Sequence, residues 1–133
     1  EEILRDLVAS TPGAEGKWFA AAKDAGLFAV AAELATRSPT DPRTLTRAAR
    51  DYAEKQPAFA LAAGLAALRW ISLGHGYEIT GTDVLDAYSA VTQAAVNAVV
   101  PTQQVNEQIR DMIASTQPGN SMMKTILARH LAN

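Results

Sequence analysis

The chain has 133 residues, of which 48% are hydrophobic and 20% charged, and its formal net charge is −2. This length suits about one domain, and the composition is that of a globular chain rather than a disordered one. The slightly negative charge argues against general binding to polyanions such as nucleic acids. Because the chain has no cysteine, disulfides, a thiolate nucleophile and cysteine-based zinc sites are excluded.

Alanine is the most unusual feature of the composition, because it accounts for 27 of the 133 residues. Alanine has the highest helix propensity, and β-branched residues, which favour strands, rarely cluster in this chain. The composition therefore predicts an all-α protein. The chain begins EEIL without a methionine, and we expect it to be a piece of a longer protein. It shows no signal-peptide pattern, so we expect a cytoplasmic location and no membrane partner.

The first third of the chain predicts three short helices from apolar residues at helical spacing. Gly26 is placed to follow the second of them, where a left-handed backbone is favoured and glycine adopts it without a steric cost. A fourth helix begins at Asp41-Pro42, which reads as an N-cap followed by a first-turn proline. The first three helices are expected over residues 2–9, 15–25 and 27–36.

The run from Pro57 to Gly74, PAFALAAGLAALRWISLG, is the most apolar part of the chain. Its only charged residue is Arg69. A helix that is apolar nearly all round belongs inside a core, and its alanines together with Gly64 allow neighbouring helices to approach closely. The 16 residues between Pro57 and Gly74 fall short of the roughly 20 apolar residues that a membrane span needs. We therefore predict a buried helix over residues 57–73.

The remaining chain predicts a glycine-rich loop and three further helices. A threonine cap, Thr80 or Thr82, begins a helix that Pro101 ends. Two more helices lie on either side of a break at residues 117–119. The predicted fold is thus an all-α single domain over residues 1–133, with seven or eight mostly antiparallel helices around the buried helix.

The segment ARDYAEKQPAFALAAGLAAL resembles a tetratricopeptide-type helical hairpin over residues 49–68. Ala49 and Tyr52 correspond to the small and aromatic positions of the first helix of such a repeat. The apolar positions of the second helix are matched by Leu61, Leu65 and Leu68. Candidate hairpins begin 26 and 41 residues apart, whereas that family repeats about every 34 residues. We therefore expect a bundle of helical hairpins or an irregular helical stack.

The loop after the central helix brings a histidine and a carboxylate close together in the sequence. His75 and Glu78 offer an imidazole and a carboxylate of the kind used in acid–base chemistry. Their spacing falls in a glycine-rich turn, and the other histidine, His130, is 55 residues away. The helical metal-binding patterns Glu-x-x-His and His-x-x-x-His are missing. An enzyme or metal-dependent protein centred on His75 and Glu78 is kept as an alternative, with no metal or cofactor assigned.

Three arginines form a stripe on the fourth predicted helix, opposite its apolar face. They are Arg43, Arg47 and Arg50. Three guanidinium groups on one helix can straddle phosphates, so a nucleic-acid-binding helical domain is a second alternative. Asp51 and Glu54 lie four residues after Arg47 and Arg50, and they can neutralise the stripe through ion pairs along the helix.

The helix that begins near Thr80 is poor in charge, since no charged residue lies between Asp86 and Glu107. Such a helix lies either at the centre of a domain or in an interface, because interface cores are depleted of charge. We expect one side of it to face inward, with the residues Val84, Leu85, Tyr88, Val91, Ala95 and Val99. The residues predicted for an interaction surface, including one from the last helix, are Val84, Tyr88, Val96, Val100 and Met123.

The sequence contains no recognisable catalytic constellation, and no catalytic residue is assigned. We predict a non-catalytic protein-interaction or scaffold domain, whose partner is another protein or a second copy of the same chain. It would use a helical groove or the charge-poor helix for binding.

Overall fold

The computed structural model describes residues 18–37, 39–76, 78–114, 120–128 and 130–131. These residues form seven α-helices and no β-strand, so the predicted all-α fold is confirmed. The helix predicted over residues 2–9 lies outside the described residues. The helices are α1 (Phe19–Asp24), α2 (Phe28–Arg37), α3 (Pro42–Tyr52), α4 (Pro57–Ser72), α5 (Gly81–Asn97), α6 (Thr102–Ala114) and α7 (Asn120–Leu127).

Contacts divide the chain into two compact units, residues 1–40 and residues 41–133. The first unit contains α1 and α2, and the second contains α3 to α7. In the first unit, α1 ends as predicted, because Gly26 follows it with a φ of +78°. The Gly26 N–H donates to the Lys23 carbonyl and the Leu27 N–H to the Ala22 carbonyl, which defines a Schellman motif. That the whole chain forms one domain stays a prediction.

Helix α3 begins at the predicted cap. The Asp41 carboxylate accepts a hydrogen bond from the Thr44 N–H at 3.2 Å, and Pro42 occupies the first turn. At the far end of the helix, the Tyr52 ring meets the Phe59 ring edge-on, with their centroids 5.6 Å apart. Helices α3 and α4 therefore form a helical hairpin across the segment that resembles a tetratricopeptide repeat. Its repeat character stays a prediction.

Helix α4 is the buried helix that the sequence predicts, since ten of its sixteen residues are buried. It packs most extensively against α3 and α5. A β-carbon added at Gly64 would lie 2.6 Å from Val91 Cγ2 and 3.5 Å from the Ala49 β-carbon. The small residue at this position therefore permits the close approach of three helices. No helix of the described chain combines the length and apolarity that crossing a membrane requires.

Helices α3 and α5 lie side by side and run in the same direction, because α4 returns the chain between them. Arg43, at the start of α3, bonds Asp83 at the start of α5. Asn97, at the end of α5, bonds Ala53, which directly follows α3. These two contacts join the helices at corresponding ends.

Helices α6 and α7 also pack against α5. The Tyr88 hydroxyl donates to Asn106 Oδ1 at 2.9 Å, and the Asn106 amide donates to the His130 carbonyl at 3.3 Å. The rings of Tyr88 and His130 are also in contact, with centroids 5.0 Å apart. Met123 and Leu127 of α7 are fully buried. This arrangement makes the inner face of α5 part of the core of the second unit.

Candidate binding groove

An open groove with a volume of about 460 Å³ lies between α3 and α5. Its α3 wall consists of Pro42, Arg43, Thr46, Arg47 and Arg50, and its α5 wall of Asp83, Asp86, Ser89, Ala90 and Gln93. Ile71 of α4 and Ala53, both buried, complete the lining. Lining positions on each helix recur at the three- and four-residue spacing that places side chains on one helix face. The predicted arginine stripe is therefore one wall of a groove.

A bidentate ion pair joins the two walls at one end of the groove. Arg43 Nε donates to Asp83 Oδ1 at 3.0 Å, and Arg43 Nη2 donates to Asp83 Oδ2 at 2.9 Å. The same Nη2 donates to the Glu78 carbonyl at 2.9 Å, which ties the preceding loop to α3. Bonding to Arg43 lowers the pKa of Asp83, and bonding to Asp83 raises the pKa of Arg43.

The same aspartate is part of the N-terminal cap of α5. Asp83 Oδ2 accepts hydrogen bonds from the Thr80 N–H at 2.8 Å and from the Thr80 hydroxyl at 3.1 Å. The Asp83 N–H in turn donates to Thr80 Oγ1 at 3.5 Å, which completes a capping box. Of the two threonines considered as caps, Thr80 is therefore the one used. The hydrogen bonds of the cap thus hold the Asp83 carboxylate in the orientation in which it accepts from Arg43.

A neutral hydrogen bond joins the walls at the other end. Asn97 Nδ2 donates to the Ala53 carbonyl at 2.7 Å. This carbonyl belongs to the residue that caps the C-terminus of α3, where backbone acceptors lack helical partners. The groove is thus held at both ends by contacts between residues that are far apart in the sequence.

Arg47 occupies the middle of the α3 wall and is exposed. Within the part of the chain that the structure describes, its guanidinium forms no ion pair or hydrogen bond. Arg50 Nε bonds the neighbouring carboxylate of Asp51 at 3.1 Å, and both side chains are mostly exposed, so this pair is weak. The ion pairs along the helix do not form. Asp51 bonds Arg50 instead of Arg47, and Glu54 lies beyond Tyr52, where α3 ends.

The two walls differ in charge. The α3 wall carries the arginines, whereas the α5 wall carries two carboxylates near the Arg43–Asp83 end and neutral polar groups near the Ala53 end. Asp86 is exposed and makes no ion pair with any described residue. The half of the groove towards Ala53 presents the guanidinium groups of Arg47 and Arg50 opposite the hydroxyl of Ser89 and the amide of Gln93. Hydrogen-bond donors predominate there.

His75 and Glu78 lie outside the groove, in the loop that joins α4 to α5. The His75 N–H donates to the Trp70 carbonyl as part of the α4 C-terminus, and its ring meets the Trp70 ring edge-on with centroids 5.5 Å apart. Glu78 is exposed and contributes its carbonyl to Arg43. Among the described residues, no group of three or more histidine and carboxylate side chains is placed to hold a metal ion.

Three of the five residues predicted for an interaction surface lie in the core. Val84 and Met123 are fully buried, and Tyr88 is only 8% exposed. They are covered because α6 and α7 pack against the apolar face of α5, an arrangement that the helical period alone does not determine. Val96 is exposed and Val100 is half-buried, so these two remain available to a partner.

The inward orientation expected for Leu85 and Val99 is corrected by the structure, since Leu85 is 42% and Val99 89% exposed. Helix α5 ends at Asn97, and Val99 follows it in a left-handed conformation with φ of +58°. Its side chain therefore no longer follows the helical period. A β-branched residue is an outlier in this conformation.

The polar residues of the α5 wall were not among the site residues that the sequence predicts. Asp86, Ser89 and Gln93 recur at helical spacing, which could have marked them as one face. Nothing local to α5 indicates that this face lies beside α3. Comparisons of the chain with protein-family models, with curated proteins and with solved structures found no match.

Proposed function

We propose that residues 41–133 form a non-catalytic protein-interaction domain that binds a segment of a partner protein in the groove between α3 and α5. The observation that carries this proposal is the position of Arg47. It lies midway along a groove wall, exposed and without an ion pair among the described residues. A guanidinium group in such a position can form bidentate, charge-assisted hydrogen bonds with a partner.

The anchoring of both ends also supports binding. The Arg43–Asp83 ion pair and the Asn97–Ala53 hydrogen bond hold the walls at a fixed separation before any partner arrives. A preformed site binds more tightly than a flexible one, because less conformational entropy is lost on association.

The composition of the lining favours a protein partner over a nucleic acid. Two aspartates, Asp83 and Asp86, line the groove together with the three arginines, and the residues that line it include no aromatic side chain. Single-stranded bases bind largely by stacking on aromatic rings, and the residues that line this groove provide none. A peptide can offer both charged and neutral hydrogen-bonding groups to such a lining.

The proposal is tested by selecting phage-displayed random peptides against the chain and measuring their affinities for two variants. Ser89→Trp places a large side chain in the groove, whereas Val96→Trp places the same side chain at an exposed position of α5 that does not line it. We expect selected peptides to bind wild type and Val96→Trp equally, and to bind Ser89→Trp about tenfold more weakly or worse.

Circular dichroism of both variants checks that the helical fold is retained. Equal affinity for Ser89→Trp and wild type would overturn the proposal, as would a failure to select any peptide. Loss of binding in Val96→Trp alone would assign the interaction to the surface containing Val96 and Val100 instead.

A further inference from the structure

We infer that the partner segment is acidic and that one of its carboxylates binds Arg47. This inference rests on the proposed function, since it specifies what occupies the same groove. It is derived from the distribution of charge along the groove.

The charge distribution locates the acidic group of the partner. At one end of the groove, Arg43 and Asp83 neutralise each other through two hydrogen bonds, so neither guanidinium nor carboxylate is free to attract a partner strongly. Further along, Arg47 is unpaired among the described residues, and Arg50 is paired only with exposed Asp51. The net positive charge is therefore concentrated in the half that contains Arg47 and Arg50.

The α5 wall also favours an acidic group in the half of the groove that contains Arg47 and Arg50. Opposite the two arginines lie Ser89 and Gln93, both exposed, and each can donate a hydrogen bond to a carboxylate. The unpaired carboxylate of the wall, Asp86, lies one helical turn closer to the Arg43–Asp83 end. A segment with an acidic group near Arg47 and Arg50 satisfies these donors.

The length of the groove sets the length of a suitable peptide probe. Arg43 and Ala53 are ten positions apart, which is about 15 Å along the axis of α3. An extended chain covers this distance with four or five residues at about 3.3 Å each.

The inference is tested with fluorescein-labelled pentaglutamate, pentaglutamine and a single-stranded oligodeoxynucleotide, each titrated with the full chain and followed by fluorescence anisotropy. The variants are Arg47→Gln and Arg69→Gln. Arg69 is an exposed arginine of α4 that does not line the groove, so both variants lose the same charge.

We expect wild type and Arg69→Gln to bind pentaglutamate equally, and Arg47→Gln to bind it about tenfold more weakly. Pentaglutamine should bind far more weakly than pentaglutamate. Raising the salt concentration from about 50 to 200 mM should weaken the binding of pentaglutamate, because the arginines are exposed. Circular dichroism again checks the fold of each variant.

Three outcomes would overturn the inference. These are equal losses in Arg47→Gln and Arg69→Gln, no binding of pentaglutamate up to about 1 mM, and tighter Arg47-dependent binding of the oligonucleotide than of the peptide. The proposed function is judged separately with Ser89→Trp. If selected peptides require an open groove but are indifferent to Arg47→Gln, the protein-interaction function stands and the acidic specificity fails.

Discussion

The two ends of α5 close the two ends of the groove by different physical means. At the N-terminal end, Asp83 belongs both to a capping box with Thr80 and to an ion pair with Arg43. Local helix capping and the long-range contact there require the same side chain in the same orientation. Such agreement between local and tertiary preferences is typical of a well-specified structure.

At the C-terminal end, local and tertiary preferences conflict. Asn97 makes a short hydrogen bond to Ala53, but two residues later Val99 adopts a left-handed conformation that disfavours β-branched side chains. The N–H groups of Val99 and Val100 complete a Schellman motif on the Val96 and Ala95 carbonyls. Gly74 fills the same position after α4 with φ of +89°. The hydrogen-bonding pattern of a helix end is therefore kept at Val99, although valine is unfavourable in that conformation.

The largest loss of stability is expected from Asp83→Ala. This substitution removes both the ion pair with Arg43 and the Asp83 side chain of the capping box. We expect the free energy of unfolding to fall by about 2 kcal/mol, measured by urea denaturation. Asp86→Ala is the matched control, since Asp86 lies on the same wall without an ion pair among the described residues, and it should change stability by no more than about 0.5 kcal/mol. Equal effects of the two variants would contradict the special role of Asp83.

Acidification should destabilise the folded protein by protonating Asp83, at the N-terminal end of α5. The pKa of Asp83 is lowered from its ordinary value of 3.8 mainly by its hydrogen bonds to Arg43. A lowered pKa in the folded state stabilises the protein above the unfolded-state value, and this contribution is lost as the pH falls through the folded-state value. Urea denaturation at a series of pH values from about 6 to 2 should therefore show a loss below about pH 4 that Asp83→Asn lacks. Parallel profiles for the two proteins would contradict the assignment.

Asn97→Ala, at the C-terminal end of α5, should lower stability by a smaller amount than Asp83→Ala. It removes one neutral hydrogen bond, which is worth about 1 kcal/mol, although the better helix propensity of alanine offsets part of this loss. Thermal unfolding should show a reduced midpoint relative to Gln108→Ala, a control at an exposed position of α6. If Asn97→Ala is no less stable than that control, the hydrogen bond to Ala53 does not contribute to the groove's closure.

The smallest change in stability is expected from Val99→Gly, and it is an increase. Val99→Gly should raise the free energy of unfolding by about 0.5 kcal/mol, because relief of the left-handed strain exceeds the extra entropy that glycine gives the unfolded chain. The matched control is Val96→Gly, within the last turn of α5, which should lower stability by about 0.4 kcal/mol, the difference in helix propensity between valine and glycine. Destabilisation of similar size in both variants would mean that the side chain of Val99 is not strained.

Features that depend only on neighbouring residues in the chain could be predicted from the sequence. The cap at Asp41-Pro42, the end of α1 at Gly26 and the burial of α4 all follow from the conformational preferences or the apolar character of a short stretch. The all-α class follows from the same kind of local information, because each helix satisfies its own backbone hydrogen bonds. The arginine stripe was likewise visible from its spacing.

The contacts between residues that are distant in the sequence are set by the tertiary structure. Arg43 and Asp83 are 40 residues apart, and Asn97 and Ala53 are 44 residues apart. Which face of α5 meets α3, and which face α6 and α7 cover, depends on how whole helices pack, and a helical period is compatible with several arrangements. For this reason the groove could not be derived from the sequence, and Leu85, expected to face inward with Val84, is exposed whereas Val84 is buried.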